Sequence, residues 1–402
     1  MKKTTRKQRL RIKRYNEKIR YKRKHRKNRI RENSKKTELA ALCVETNKWI
    51  DNEKSNGLIL SQCPKPKQVK NNMVVVHLPE QLDLDSSYDQ TLQALTAIRK
   101  LVVLLECFKG YKLPKSVYKI GSINFDKLKK ISTSTALILT SEIARWDSGI
   151  RKKLVPQVDK WDDEIYHSFS QLGFFELFKN KPTKKPEGTN DIDINYVKYF
   201  KGSFINKEYA RSSKRKLKSS IIELVGNDVP EWTFLHSGLS EAVTNVTHHA
   251  YPDSESLVWN DKSWYLTGSF NTKTRKMTIS FFDQGIGIPN SLSDSTIWEA
   301  VLKFMDKINL PAADRKLDSV LLKAAVNIDR TRTGESDRGK GLQDLLEFIK
   351  QRNEGSLSIH SQKGSYTCEF INGKLTEHSK SYQRPLCGTL ITWSVTLEKA
   401  NP

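Results

Sequence analysis

The chain has 402 residues and a formal net charge of +25 at neutral pH. A chain of this length can bury two cores of ordinary domain size. Its five cysteines are odd in number and lack C-x-x-C spacing, which argues against a disulfide framework or a zinc site. The longest apolar run, residues 101–108, is too short to span a bilayer. The N-terminus also lacks the apolar core of a signal peptide, so we expect a cytoplasmic protein that does not enter a membrane.

Positive charge is concentrated at the N-terminus. Residues 1–36 contain 19 lysines and arginines against 2 glutamates, which leaves a net charge of +8 for the rest of the chain. Such a segment repels itself and lacks apolar side chains, so it is predicted to be a disordered or helical arm. Counterion release favours its binding to nucleic acid or another polyanion. A solubilising tail is the alternative.

A linker is predicted over residues 37–70, because polar stretches and the prolines of residues 63–67 disfavour regular structure. A folded unit is predicted over residues 73–182. Its apolar periodicity indicates, in chain order, a strand at 73–78, a helix through 92–105, a strand and turn at 119–132, a helix at 133–146 and a helix within 161–178 that ends near Gly173.

A second linker is predicted over residues 183–202. The segment 180–187 contains two prolines and three lysines, which is typical of an exposed connection. A second folded unit is therefore expected over residues 203–398.

Glu241, Asn245 and His249 recur at intervals of four in the segment EAVTNVTHHAY. On an α-helix, positions four apart lie along one face. An apolar set repeats in and just before this segment at intervals of three and four, which predicts a separate apolar stripe made of Leu235, Leu239, Val243, Val246 and Ala250. The sequence thus predicts one helix that packs on a sheet and presents a carboxylate, an amide and an imidazole to a ligand.

The segment Lys276–Asp283 alternates apolar and polar residues, so it is predicted to be a half-buried strand. Asp283 at its end is well placed to accept a hydrogen bond from an exocyclic amine. Gly285 and Gly287 follow, and glycines allow the backbone to approach a flat ligand closely.

Gly339 and Gly341 precede an apolar, helix-periodic segment, so they are predicted to open a helix. A helix N-terminus beside the side chain of Lys340 would attract phosphate oxygens. Residues 290–337, between the two glycine segments, are predicted to form a mobile lid.

The E-x-x-x-N-x-x-x-H-A, D-x-G-x-G-I and G-x-G-L segments resemble, in this order, the N, G1 and G2 boxes of the GHKL ATPase superfamily. The first segment is closest to the anti-sigma-factor serine kinases. Gly388-Thr389, before the strand LITWSVTL, resembles the last box. This resemblance covers residues 203–398 and implies an α/β sandwich with a mixed sheet covered by helices, within an α+β protein.

The resemblance also implies binding of ATP and Mg²⁺ and assigns roles to single residues. It implies that Asn245 binds Mg²⁺, that Asp283 binds the adenine amino group, and that Glu241 is the general base in attack on the γ-phosphate. The remaining nucleotide-binding positions that it implies are His249, Gly285, Gly287, Gly339, Lys340, Gly341, Leu342 and Thr389.

The element order of residues 73–182, with a serine and threonine turn before its second helix, resembles the smaller STAS-like α/β domain of anti-anti-sigma factors. This resemblance implies a protein partner and a candidate phosphoacceptor among Ser132, Thr133 and Ser134. The Asp-Ser-Ser-Gly signature of that family is absent, and Ile131 stands where the acid would be. Capping of the helix by these hydroxyl groups is the alternative.

These features together predict a cytoplasmic Mg-ATP-binding protein that acts as a signalling or regulatory Ser/Thr protein kinase. Two alternatives remain open. One is an ATP-hydrolysing conformational switch that transfers no phosphate to protein, and the other is a nucleotide-sensing module with a polyanion-binding arm. A homodimer is compatible with each of them.

Overall fold

The computed structural model describes residues 32–63, 72–184, 193–203, 207–252, 262–292, 298–307, 314, 317–328, 341–371 and 373–398. Helices and sheets alternate irregularly along these residues and form two units. The α+β class predicted from the sequence is confirmed. No described helix combines the length and the apolar character that a membrane crossing requires.

The N-terminal unit surrounds two small sheets with helices. Its elements are α1 (32–55), β1 (Leu60–Gln62), β2 (Met73–His77), β3 (Gln81–Leu82), α2 (Tyr88–Cys107), β4 (Lys119–Asn124), β5 (Lys130–Ile131), α3 (Thr133–Ala144), α4 (Ser148–Lys153), α5 (Asp163–Leu172) and a 3₁₀ turn (Phe174–Leu177). In the larger sheet, β2 pairs antiparallel with β1 and parallel with β4. β3 and β5 pair in parallel. The strand predicted at 73–78 and the helix end at Gly173 are confirmed.

The linker predicted over residues 37–70 is wrong where the structure describes it. Residues 32–55 form α1, and β1 pairs with β2. α1 buries Leu39, Cys43 and Ile50, which recur at helical spacing within a polar sequence. That sparse stripe, rather than the overall polarity, decided the local structure. Residues 32–36 of the predicted arm belong to α1, and residues 1–31 and 64–71 lie outside the described part.

The C-terminal unit is built on a six-stranded sheet in the order β10-β11-β9-β8-β6, with β7 also paired to β8. Its elements are β6 (Ile194–Tyr196), β7 (Phe200–Ser203), α6 (Lys207–Val225), α7 (Trp232–Asn245), a π-helical turn (Val246–Ala250), β8 (Ser263–Asn271), β9 (Lys276–Asp283), α8 (Ile288–Leu292), α9 (Trp298–Lys307), α10 (Asp318–Ile328), α11 (Gly341–Arg352), β10 (Gly355–Ile371) and β11 (Lys374–Thr396). The strand bounds predicted for β9 are confirmed.

The described strand pairs of this sheet are antiparallel, so the mixed pairing predicted for it is wrong. Short turns join β8 to β9 and β10 to β11, and a short turn can connect only antiparallel neighbours. Mixed pairing occurs instead in the smaller sheet of the N-terminal unit.

The linker predicted over residues 183–202 is wrong for its second half. β6 and β7 lie there and pair with β8 at the edge of the sheet. The prolines of the preceding segment made the whole region resemble a linker, although the residues of β6 and β7 include isoleucine, tyrosine and phenylalanine, which favour strands. Residues 185–192 lie outside the described part.

Both faces of the C-terminal sheet are covered. Leu266 and Phe281 point to one face, where they pack in a core with α6, α7, α10 and α11. Tyr265, Phe282 and Leu390 point to the other face and join the core of the N-terminal unit. β9 is therefore buried on both sides. The half-buried strand that its alternation predicts is wrong, because α3 of the N-terminal unit lies against β8 and β9.

The mobile lid predicted over residues 290–337 is wrong for residues 318–328. These residues form α10, which packs on β10. Leu322, Ala325 and Val326 of α10 are buried in the core, which explains the contact. Residues 293–297, 308–313, 315–316 and 329–337 of the predicted lid lie outside the described part.

Candidate functional site

Asp283 lies at the C-terminal end of β9, inside the sheet. Its neighbours across the ladder are Trp264 on β8 and Thr389 on β11. The side chain is buried, and its Oδ1 accepts a hydrogen bond of 2.8 Å from the Gly285 N–H. Burial raises the pKa of Asp283 to about 7, although the N–H groups of Gly285 and Thr389 lower it in part. A carboxyl group has several acceptor positions, so this one can also receive a donor from a ligand.

The turn after β9 packs against the π-helical turn. The Ile286 N–H donates to the Ala250 carbonyl at 2.9 Å. A Cβ added at Gly285 would lie 2.3 Å from the same carbonyl oxygen. Gly287 has a φ of +84°, and a Cβ there would lie 2.7 Å from Ser361 Oγ. Both glycines are therefore required, and the two predicted motifs meet at this point.

β11 closes the site from the other side. Gly388 has a φ of +109°, and a Cβ there would lie 1.9 Å from the Asp283 carbonyl oxygen. Ser361 Oγ on β10 donates to the Gly388 carbonyl at 3.1 Å and accepts the Ile288 N–H at 2.9 Å. It also lies 3.0 Å from Thr389 Oγ1. Ser361 thus joins three segments. Sequence reasoning missed it, since a single serine in a strand carries no signal of these contacts.

The helix that carries Glu241, Asn245 and His249 changes its winding. It is α-helical over Trp232–Asn245 and π-helical over Val246–Ala250. Glu241 and Asn245 lie one α-helical turn apart, and both are half-buried. A π-helical turn contains more residues than an α-helical turn. His249 lies in this π-helical turn and is exposed, unlike Glu241 and Asn245.

α11 packs along α7, and the residues that precede Gly341 lie outside the described part. Arg352 at the end of α11 and Glu231 at the start of α7 line the same cavity. The two helices therefore run antiparallel, and Gly341 lies towards Asn245. Other predicted phosphate-side positions lie outside the described part, namely Gly339, Lys340 and the side chain of Leu342.

The cavity shared by α7 and α11 has a volume of about 440 Å³. Arg275, which precedes β9, lines it, whereas Asp283 ends the same strand. The cavity therefore lies at the opposite end of the sheet from the predicted site.

The hydroxyl groups at the start of α3 make hydrogen bonds within the protein. Ser132 caps the helix by accepting the Thr135 N–H at 3.4 Å, and its Oγ lies 3.2 Å from Ser134 Oγ. Thr133 is buried, and its Oγ1 lies 2.6 Å from Ser269 Oγ on β8. Thr133 is thus inaccessible to a phosphate donor in this structure, and capping is the better interpretation of Ser132.

The described residues contain no group of three or more His, Cys, Asp or Glu side chains that could hold a metal ion. Mg²⁺ carried by a nucleotide needs no such group, because phosphate and water oxygens complete its shell. The half-buried Asn245 amide, at the point where α7 becomes π-helical, is compatible with this kind of site.

A comparison with protein-family models found no match to the chain. A comparison with curated proteins found none either. The motifs and the site geometry therefore carry the functional proposal.

Proposed function

We propose that the C-terminal unit binds Mg-ATP in the manner of the GHKL superfamily and that the N-terminal unit is a STAS-like domain. The observation that carries the proposal is the convergence of three distant segments on Asp283. The Gly285 turn, Gly388-Thr389 and the π-helical turn all meet around this buried carboxyl group. A buried acceptor flanked by close backbone approach suits a flat base with an exocyclic amine.

The remaining residues have distinct tasks in this proposal. Asn245 supplies an oxygen to Mg²⁺, and the start of α11 at Gly341 directs unpaired N–H groups at phosphate. Glu241, one turn before Asn245, acts as the general base. Mg²⁺ held by Asn245 would supply positive charge beside the transferring phosphate.

Among the outputs, an ATP-hydrolysing conformational switch has the best support. α3 of the N-terminal unit packs on β9, the strand that ends in Asp283. A rearrangement at the strand end would therefore reach the N-terminal unit directly. Burial of Thr133 disfavours phosphate transfer to this residue.

A Ser/Thr protein kinase that acts on a separate protein is the second candidate. Its support is the likeness of the Glu241–His249 segment to the anti-sigma-factor kinases. ATP labelled at the γ-phosphate separates the outputs. Free labelled phosphate supports the switch, label on protein supports the kinase, and intact bound ATP supports a nucleotide sensor.

Titration calorimetry with ATP and Mg²⁺ tests the binding proposal itself. We expect Asp283→Ala to lose most ATP affinity, because the base would lose its acceptor. Asp228→Ala is the matched control, since Asp228 is an exposed aspartate of the same unit. Absence of binding by the wild-type chain, or equal affinity in all three proteins, would contradict the proposal.

A further inference from the structure

Gln284 stands between Asp283 and Gly285, and the N-terminal unit holds its side chain. Arg145 Nη1 donates to Gln284 Oε1 at 3.3 Å. Gln284 Nε2 donates to Ser141 Oγ at 3.3 Å. Ser141 lies in the last turn of α3 and Arg145 is its C-cap. Both ends of the Gln284 amide are therefore bound by one helix of the other unit.

The Arg145 side chain is itself buried and paired with a carboxylate. Its side chain is 3% exposed, and its Nη2 donates to Glu142 Oε1 at 2.5 Å. Glu142 Oε2 accepts hydrogen bonds from Arg99 Nε at 3.0 Å and Nη2 at 2.8 Å. Burial raises the pKa of Glu142, but the two guanidinium groups outweigh it and hold the pKa below its ordinary value. Glu142 thus stays ionised and fixes Arg145 as a donor to Gln284.

The contacts of Gln284 with Ser141 and Arg145 form a first tether between the units. A second tether runs from α2 to the same turn. The Tyr88 hydroxyl lies 3.0 Å from the Arg384 carbonyl and 3.4 Å from the Gln362 carbonyl. Gln362 Nε2 in turn donates to the Ile286 carbonyl at 2.5 Å. The Tyr88 ring stacks on Tyr382 with centroids 3.5 Å apart. Two helices of the N-terminal unit therefore converge on the turn that follows Asp283.

Docking of the two units does not by itself require these polar contacts. Tyr265, Phe282 and Leu390 already bury an apolar face between the units. Burying charged groups such as Glu142 and Arg145 is unfavourable unless the geometry compensates for lost hydration. A buried ionic network that ends on Gln284 therefore indicates a role at the turn itself.

We propose that α3 is part of the nucleotide site, in which Arg145 and Ser141 position Gln284 and, through it, the Asp283 carboxyl group for recognition of the adenine amine. The identity of the ligand rests on the proposed function. The hydrogen bonds of Arg145 and Ser141 to Gln284 do not depend on it. Arg145 is a positioning residue, because it touches Gln284 rather than the base. The pocket is complete only with the N-terminal unit docked, which lets that unit respond to base binding.

The variant Gln284→Ala tests the positioning role, since it leaves Arg145 paired with Glu142. Calorimetry compares the affinities of this variant for ATP and for purine riboside triphosphate, which lacks the exocyclic amine. We expect ATP affinity to fall about 3–10-fold, as for loss of one hydrogen bond, and purine riboside triphosphate affinity to stay unchanged. Gln351→Ala, at the exposed far end of α11, is the matched control. Equal losses for both nucleotides, or no loss for ATP, would overturn the proposal.

Hydrogen exchange in nucleotide-free protein tests the tether independently. Arg145→Lys keeps a charge beside Glu142 but loses the planar guanidinium that reaches Gln284. We expect the Gly285 amide to exchange about 3–10-fold faster in Arg145→Lys and in Gln284→Ala. Unchanged exchange of the Gly285 amide in both variants would contradict the claim that Arg145 and Gln284 hold this turn in place. If exchange responds but the wild-type chain binds no ATP, the proposed function and the role in base recognition fail while the tether stands.

Discussion

At the scale of single residues, Asp283 is the most informative position. It is buried at the end of β9 with the Gly285 N–H 2.8 Å from its Oδ1, and burial raises its pKa from 3.8 to about 7. The folded state therefore binds the proton more tightly than the unfolded state. The resulting stability is fully present below about pH 4 and is lost as the pH rises through about 7.

Asp283→Asn should remove this dependence, because an amide does not titrate. The free energy of unfolding of the wild type, relative to Asp283→Asn, should fall between pH 4 and pH 7 by at most about 1.4 kcal/mol per pH unit. Urea denaturation at several pH values measures the difference. A constant difference over this range would show that Asp283 is not a buried group with a raised pKa.

Glu241 is the second residue whose role can be isolated. It lies one turn before Asn245 on α7, where a carboxylate can remove a proton from the attacking group. Glu241→Gln should lower turnover on the order of 10²–10⁴-fold and retain ATP binding. Phosphate release and calorimetry measure the two quantities, with Glu223→Gln on the exposed side of α6 as the control. Wild-type turnover in Glu241→Gln would exclude it as the base.

At the scale of elements, α3 is notable for being buried between the two units. All of its residues except Ser134 are buried, because the helix lies between the core of the N-terminal unit and strands β8 and β9. Its buried hydroxyl groups have partners: Thr140 Oγ1 donates to the Ala136 carbonyl and Ser141 Oγ to the Ile138 carbonyl, each at 2.7 Å. Ser132 caps its start, and Ser141 and Arg145 at its end contact Gln284 in the loop after Asp283.

The cap at Ser132 gives a test of how α3 begins. Ser132→Ala should lower the free energy of unfolding by about 1 kcal/mol, because the Thr135 N–H loses its acceptor. Ser134→Ala is the control, since Ser134 does not act as the N-cap of the helix. Urea denaturation of both variants makes the comparison. Equal stability of the two would contradict the capping role.

At the scale of the whole molecule, the N-terminal unit packs on one face of the C-terminal sheet. The face with Tyr265, Phe282 and Leu390 is apolar, and the N-terminal unit covers it. An exposed apolar face of this kind promotes association. The C-terminal unit is therefore not expected to behave as an independent domain.

A chain that starts at residue 193 should bind a hydrophobic dye and elute as aggregates, whereas the full chain should do neither. Size-exclusion chromatography and dye fluorescence measure the difference. Co-expression with residues 1–184 is the control and should restore a soluble complex. A monodisperse fragment with cooperative unfolding would show that the sheet does not need the N-terminal unit.

Several features could be predicted locally. The bounds of β9 followed from alternation and from the glycines after Asp283, and the end of α5 followed from Gly173. The change from α-helix to π-helix after Asn245 could not be predicted, because both kinds of helix accept the same side chains. The roles of Ser361 and Gln284 were also hidden, since their partners are distant in the sequence.

The sequence by itself determined the α+β class, several helices and strands, among them β2, α3, α5 and β9, and the motifs that place a carboxylate and glycines at one strand end. Tertiary structure alone decided that both faces of the sheet are buried and that α3 reaches the loop beside Asp283. The physical reason is that periodicity shows which side chains avoid water, but not which element covers them.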